Sequence, residues 1–190
     1  MAKAEKTLIL IKHDGVVRGL IGKIIERIEN TGLKIVAMKM IWADETLAKK
    51  HYKLDEEWAK KLFERTKTTH EKEGKPFKFK DHMEFGSLIQ KWNMTFLREG
   101  PVIAIVTEGP HAIEIVRKIV GHTEPRQAMP GTIRGDFASV ESYELSNENQ
   151  RVLRNLIHAS DSPSNAEHEI ALWFSPNELH KYKKDLDKHF

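Results

Sequence analysis

Cysteine is absent from this 190-residue chain, which excludes a disulfide framework, a thiolate nucleophile and a zinc–thiolate site. Its absence fits an intracellular setting without demanding one. Long apolar runs are missing too: Leu8-Ile9-Leu10-Ile11 and Val102-Ile103-Ala104-Ile105-Val106 fall far short of the roughly 18 residues that span a bilayer. Lys12 interrupts the first of these too early for a signal-peptide core. A soluble, cytoplasmic protein with no membrane partner is expected. Excess charge is small, 31 Lys and Arg against 28 Asp and Glu for a net of +3, well below what a dedicated nucleic-acid coat protein carries. Residues 46–82 hold 11 basic and 7 acidic side chains, a net of +4, so the whole positive excess sits in that stretch and the remainder nets −1. Gly-x-x-x-x-Gly-Lys-Ser/Thr is absent, as is Gly-x-Gly-x-x-Gly after a strand, so the two commonest nucleotide signatures are missing. There is no internal repeat.

What is present reads as one compact domain over 1–190, a length that suits a single core. Thr7-Leu8-Ile9-Leu10-Ile11 is apolar at nearly every position, as a strand buried on both faces would be, and ends at the polar Lys12-His13-Asp14-Gly15. Ile21, Ile24, Ile25 and Ile28 then follow helical spacing, with Asn30 and Gly32 as the stop. A second strand is predicted over 33–41, and a charged helix from Asp44 and Thr46 to about Tyr52. Leu54, Trp58 and Leu62 continue at helical spacing into Phe63-Glu64-Arg65, after which 66–81 lack an apolar stripe and read as an insertion. Leu88, Trp92, Phe96 and Leu97 restore a helix that Gly100-Pro101 closes before a third strand at 102–106.

Pro110 is expected to open the next helix, with Ala112, Ile115, Val116 and Ile119 as its face and Gly121 as its stop. A long segment, 122–155, carries turn signals at Pro125, Pro130-Gly131 and Gly135 and a short helical candidate at 147–154. A short fourth strand follows at Asn155-Leu156-Ile157-His158. Ser162-Pro163 is a strong helix start, with Ala166, Ile170 and Trp173 as the buried face. Ser175-Pro176-Asn177-Glu178 has capping-box spacing, predicting a last helix that carries Leu179, Tyr182 and Leu186. The order of elements is that of an α/β, ferredoxin-like βαββαβ sandwich with an antiparallel sheet and helical insertions.

Three places offer parts for a phosphate site. Lys12 ends the first strand as a point charge, with Gly15 and Gly19 allowing close backbone approach. In Pro130-Gly131-Thr132-Ile133-Arg134-Gly135-Asp136-Phe137, glycines flank an Arg whose planar fork suits phosphate oxygens, although a turn with Arg134 paired to Asp136 is an equal reading. Arg117 on the preceding helix could converge with it. His158-Ala159-Ser160-Asp161-Ser162 places a histidine at a strand end just before a helix N-terminus, which favours anions. Direct metal ligation by His158 is the weakest reading, since no second His or carboxylate sits at ligand spacing and His168 should face solvent. Glu169 lies at the edge of the next helix's buried face, where it could hold one imidazole nitrogen and leave the other free to attack. A buried His–Glu pair with no chemistry is the alternative.

Taken together, Ile11-Lys12-His13-Asp14-Gly15-Val16-Val17-Arg18-Gly19-Leu20-Ile21-Gly22, Pro130-Gly131-Thr132-Ile133-Arg134-Gly135-Asp136-Phe137 and Asn155-Leu156-Ile157-His158-Ala159-Ser160-Asp161-Ser162 resemble the nucleoside diphosphate kinase family in content and order. Gly32-Leu33-Lys34-Ile35-Val36-Ala37 and Glu169-Ile170-Ala171-Leu172-Trp173-Phe174 are similar to it as well. The resemblance implies a ping-pong phosphotransferase in which His158 accepts the γ-phosphate of a nucleoside triphosphate and passes it to a diphosphate. It implies that Lys12, Arg117, Thr123 and Arg134 bind phosphate, that Asn155 and Lys12 touch the sugar hydroxyl, and that Glu169 orients His158. Ser160 and Tyr52 would support the histidine. Mg2+ would bridge the phosphates largely through water, with no direct protein ligand beyond the nearby Asp161. A homo-oligomer is implied as well, and nucleic acid is not an expected partner.

The chain departs from the family pattern in three places. His13 stands where the family usually has proline, so the φ fixed by a ring after Lys12 is lost. Insertions are expected at about 54–84 and 138–151, the first displacing the aromatic residue that stacks on the base. Phe77, in a Pro76-Phe77 copy of the family dipeptide, and Phe85 are the two candidates for that ring. The second lengthens a loop that helps the family assemble hexamers, so hexamer, tetramer and dimer all stay open.

Overall fold

The computed structural model describes residues 4–72 and 74–185. Its sheet is built from β1 (Ala4–Ile11), β2 (Lys34–Ile41), β3 (Val102–Pro110) and β4 (Ile157–Ala159), in the order β2-β3-β1-β4 with each neighbouring pair antiparallel. Period-two alternation sends Leu8 and Leu10 to one face of β1 and Ile9 and Ile11 to the other, and each face meets its own core. On the first face, Leu8 and Leu10 join Val102, Ala104 and Val106 under α3 (Glu45–His51), α5 (His82–Arg98) and α9 (Pro163–Trp173). On the second, Ile9 and Ile11 join Ile103 and Ile105 under α2 (Ile21–Glu29) and α6 (Ala112–Val120). An antiparallel sheet commonly leaves one face wet; here the central strand β1 is covered on both, which is why it reads as an uninterrupted apolar run. The expected ferredoxin-like α/β sandwich is the observed fold.

Three helix boundaries differ from expectation. Pro110 does not open a helix: it is the last residue of β3, and His111, with φ of 53°, makes the turn into α6. The buried face of α6 is Ala112, Ile113, Val116 and Val120, while Ile115 and Ile119 pack at its margin. The candidate helix at 147–154 is displaced to α8 (Tyr143–Glu148), because the Ser142 hydroxyl accepts from Leu145 N and starts the helix earlier. Gly135, expected in a turn, sits inside α7 (Ile133–Phe137), where Thr132 caps its N–H.

The expected insertion is more regular than its composition suggests. α4 (Glu56–Lys72) runs well past Arg65 with only Ala59 and Phe63 buried. It packs closely on α5 at Gly86, where a Cβ would come within 2.8 Å of Ala59 Cβ. The capping box at Ser175 exists, yet it starts a single 3-10 turn, Pro176–Glu178, and no longer helix through Tyr182. The chain there is held against β2 instead: His180 N donates to Val36 O at 2.8 Å, beside the bulge between Ile35 and Ala37, and Tyr182 Oη donates to Ile35 O at 2.7 Å. Leu186 lies outside the described residues.

Candidate active site

Strand register brings the chemistry together. His158, in the middle of β4, lies opposite Leu10 of β1, two residues before Lys12. Lys12 leaves β1 into α1 (His13–Val17), and its backbone N donates to Leu156 O at 2.7 Å. Its ammonium is buried and donates to Asn155 Oδ1 at 2.7 Å, while Asn155 Nδ2 donates to Thr123 O at 2.8 Å. Burial lowers the Lys12 pKa to about 8; Asp14 nearby opposes the shift and Arg134 adds to it. The absence of proline at 13 is offset by these two tethers on Lys12. The His13 ring packs against Gly100, where a Cβ would lie 2.0 Å from its Nδ1.

Leu156 is held in the left-handed region, with φ of 66°, a conformation that costs a branched residue about 1–3 kcal/mol. Asp14 offsets part of this. Its buried carboxylate accepts from Leu156 N at 3.0 Å and from Gly15 N at 3.1 Å. Asp14 was given no role by the sequence reading, although an acid in the first turn after a strand-ending lysine is a recognisable cap.

Arg134 settles into the same region. Its Nε donates to Asn155 O at 3.2 Å, and its two terminal nitrogens donate to Gly121 O at 2.8 Å and Ile157 O at 2.7 Å. The alternative pairing with Asp136 is not formed, because Asp136 pairs with Arg27 and accepts from Gly131 N. Burial, then the neighbouring Arg117 charge, brings the Arg134 pKa down to about 10. Arg117 is exposed on the last turn of α6, and two adjacent cations of this kind mark a place suited to an anion.

His158 Nε2 lies 2.9 Å from Glu169 Oε1 on α9, and Ser160 Oγ donates to Glu169 Oε2 at 2.5 Å. Burial pushes the Glu169 carboxyl up, but the bonds from His158 and Ser160 outweigh it, so the net shift is downward and the group is a carboxylate. A carboxylate only accepts, so Nε2 carries the proton and Nδ1 keeps its lone pair. Tyr52, capping α3, is pushed up by burial, then by Glu169, and stays a neutral phenol. Asp161 is exposed and accepts from Asn165 Nδ2 at 2.6 Å.

One neighbour escaped the sequence reading. His51 ends a lysine-rich helix and looks like an ordinary basic last turn, yet its ring is 4.8 Å from that of His158. Among the described residues, ligand atoms of His51, His158 and Glu169 lie within 4.8 Å of one another. This imidazole-rich set does not suit Mg2+, which prefers oxygen ligands and water.

Neither aromatic candidate faces this cluster. Phe85 is buried, with its ring 4.9 Å from Phe79 and 5.4 Å from Phe77, and Phe77 is 5.1 Å from Phe63. Both rings hold α4 and α5 together. The ring next to Lys12 is Phe96, 5.5 Å from its Nζ, and beside it a cavity of about 60 Å³ lies between Trp92 and Thr95 of α5, its capping residue Glu99, and Gln150, Val152 and Arg154. Arg154 and Glu99 pair across it at 3.2 Å.

The family model for nucleoside diphosphate kinase matches residues 5–179. A nucleoside diphosphate kinase from Pyrobaculum aerophilum is 44% identical over 179 residues, covering 92% of this chain and 97% of that protein. The solved structure of an NDP kinase from the same organism superposes with a TM-score of 0.88 at 41% identity, covering 94% of this chain and all of the other. A transition-state mimic of the Borrelia burgdorferi enzyme with bound vanadate and ADP gives 0.78 at 40% identity, over 98% and 96% of the two chains. A lysine, an arginine and a carboxylate-held histidine brought together on this sheet thus accompany a match over nearly the whole chain, and the chain belongs to the nucleoside diphosphate kinase family.

Proposed function

We propose that His158 is the phosphoryl carrier of a nucleoside diphosphate kinase, and the observation that carries this reading is the 2.9 Å contact between its Nε2 and Glu169. With Nε2 protonated, the Nδ1 lone pair attacks the γ-phosphorus of a nucleoside triphosphate. The N–P bond forms as the bond to the β–γ bridging oxygen breaks, and the diphosphate leaves with that electron pair. Glu169 stabilises the positive charge that develops on the ring. A second diphosphate then attacks through its terminal oxygen and frees His158, completing a ping-pong cycle.

Lys12, Arg117 and Arg134 neutralise the phosphate oxygens, with Thr123 at the same rim, and Lys12 and Asn155 meet the sugar hydroxyl. Ser160 and Tyr52 keep Glu169 and the histidine in place. Nucleotide kinases of this kind work with a divalent metal, and Mg2+, arriving on the phosphates, would neutralise charge there, with the exposed Asp161 as the candidate carboxylate for its water shell. The base lies between the Trp92 and Phe96 side of α5 and Val152, beside the Arg154–Glu99 pair.

Assembly as a homo-oligomer is supported by the edge strand β2, which exposes Met38 and Met40, with the exposed Trp42 just beyond its end. Sedimentation should find more than a monomer, and a monomer at micromolar concentration would refute it. For the reaction, labelled ATP should leave an acid-labile, base-stable phosphate on the wild type and none on a folded His158→Ala. Turnover by His158→Ala within about tenfold of wild type would overturn the assignment.

A further inference from the structure

Trp173 Nε1 donates to His51 Nδ1 at 3.3 Å. An indole nitrogen can only donate, so Nδ1 of His51 must supply a lone pair, and the neutral ring carries its proton on Nε2. That Nε2 is buried with no hydrogen-bond partner. The ring stands at 83° to His158 and at 89° to Trp173, edge to face in both cases. Trp173 is itself buried on α9, one turn beyond Glu169, so a single helix fixes both the carboxylate behind His158 and the indole behind His51.

We propose that His51 is a positioning residue for the phosphotransfer: the Trp173 bond locks its tautomer, and the locked ring braces His158 against Glu169 while presenting an uncharged N–H to that side of the site. This rests on His158 being the nucleophile. The groups facing His51 are His158 on β4, Glu169 and His168 on α9, Lys12 after β1, and Tyr52 next in sequence. Burial, then His158, pushes the His51 pKa down to about 3, so the ring stays neutral while His158 becomes cationic beside it. Two consequences follow from the tautomer. The Nδ1 of His158 is the uncommitted imidazole lone pair of this pair, so phosphoryl transfer has one acceptor and not two. A metal seeking two imidazoles and a carboxylate here would first have to displace the Nε2 proton and break the Trp173 bond, which argues against a metal centre at this cluster.

The test reads tautomer and rate separately. Long-range 1H–15N spectra of the full-length protein should show His51 neutral from pH 5 to 8, protonated on Nε2 with Nδ1 bare. A ring protonated on Nδ1, or one titrating near 6.5, overturns the proposal without any variant. Trp173→Phe and His51→Phe keep a ring in place and remove the bond. Each should slow single-turnover phosphorylation of His158 by about tenfold with the KM for ATP unchanged, and the double variant should be no slower than either single one. Additive losses, an unchanged rate, or a rise in KM matching the fall in kcat would mean that His51 only packs. Failure of the His158 assignment is distinct from all of these: it shows as phosphate on another residue, with the His51 spectrum unaffected.

Discussion

At the phosphate end of the cleft, main-chain atoms fix the side chains of Arg134 and Asp14 and the backbone of Lys12. Arg134 reaches three carbonyls, Lys12 is tethered through its own backbone and through Asn155, and Asp14 holds the N–H of Leu156. Toward the base end and the packing of α4 on α5, side chains meet side chains: Phe77, Phe79 and Phe85 pack on one another, Lys75 pairs with Glu144, and Arg154 pairs with Glu99. Contacts to the backbone of a buried sheet tolerate little displacement, whereas exposed ion pairs are each worth about 0–1 kcal/mol and rearrange easily. This architecture therefore fixes the transferring group and leaves the nucleoside side adjustable.

The largest expected effect breaks the rigid end. Glu169→Gln removes the charge opposite His158 and should slow phosphorylation about a hundredfold in single-turnover measurements, with the fold retained; an unchanged rate would reduce Glu169 to packing. The same variant tests linkage. The Glu169 pKa is lower in the folded chain than its ordinary 4.5, so its stabilisation is present above that value and lost as pH falls through the folded one. Acid unfolding curves of Glu169→Gln should lack that component.

Next comes Lys12. Its ammonium is charged below about pH 8, so nucleotide affinity of the free enzyme should hold below that pH and fall as pH rises through it. Stability runs the other way: the folded pKa lies below the ordinary lysine value of 10.5, so burying the charge costs stability below about 8 and the cost fades as pH approaches 10.5. Lys12→Met should flatten both profiles in nucleotide titrations and denaturant melts. A retained limb near 8 would assign it to another group.

The smallest effects sharpen the contrast at the adjustable end. Trp92→Ala should raise KM for nucleotides about fivefold, the loss of roughly 1 kcal/mol of stacking, with phosphorylation at saturating ATP preserved. Phe77→Ala, which loosens the helical hairpin, should leave KM within about twofold. The reverse ranking would return the stacking role to the ring of Pro76-Phe77.

Local signals were legible where they coincide with burial. The run ending at Ile11 and the Ser162-Pro163 start of α9 needed only period and cap, and both stand as read. So do the strands that lead to Lys12 and carry His158, whereas Arg134 sits on a short helix where turn signals stood. The far half of α4 was not legible, because that helix is anchored at Ala59 and Phe63 and its remaining turns carry polar side chains with no stripe to see. The tail after Ser175 has the right cap for a helix, but β2 offers carbonyls at its bulge, and tertiary hydrogen bonds override the local preference. His51 was invisible for a similar reason. Nothing in Lys49-Lys50-His51 distinguishes a basic helix end from an imidazole that meets Trp173, 122 positions away.

The pairing of β1 with β4 also bears on when this protein becomes an enzyme during its own synthesis. Lys12 and Asn155 are 143 positions apart, and the strand that carries His158 is the last in the sheet. A ribosome-bound chain can lay β1 beside β3 and cover both with helices long before β4 emerges, since those elements precede it in sequence. Closing so distant a contact is also slow relative to local helix formation. Nascent chains should therefore be compact yet chemically silent, with nucleotide hydrolysis or transfer by half-made product prevented by order of emergence alone, and activity should switch on only once β4 and the helix bearing Glu169 have left the exit tunnel.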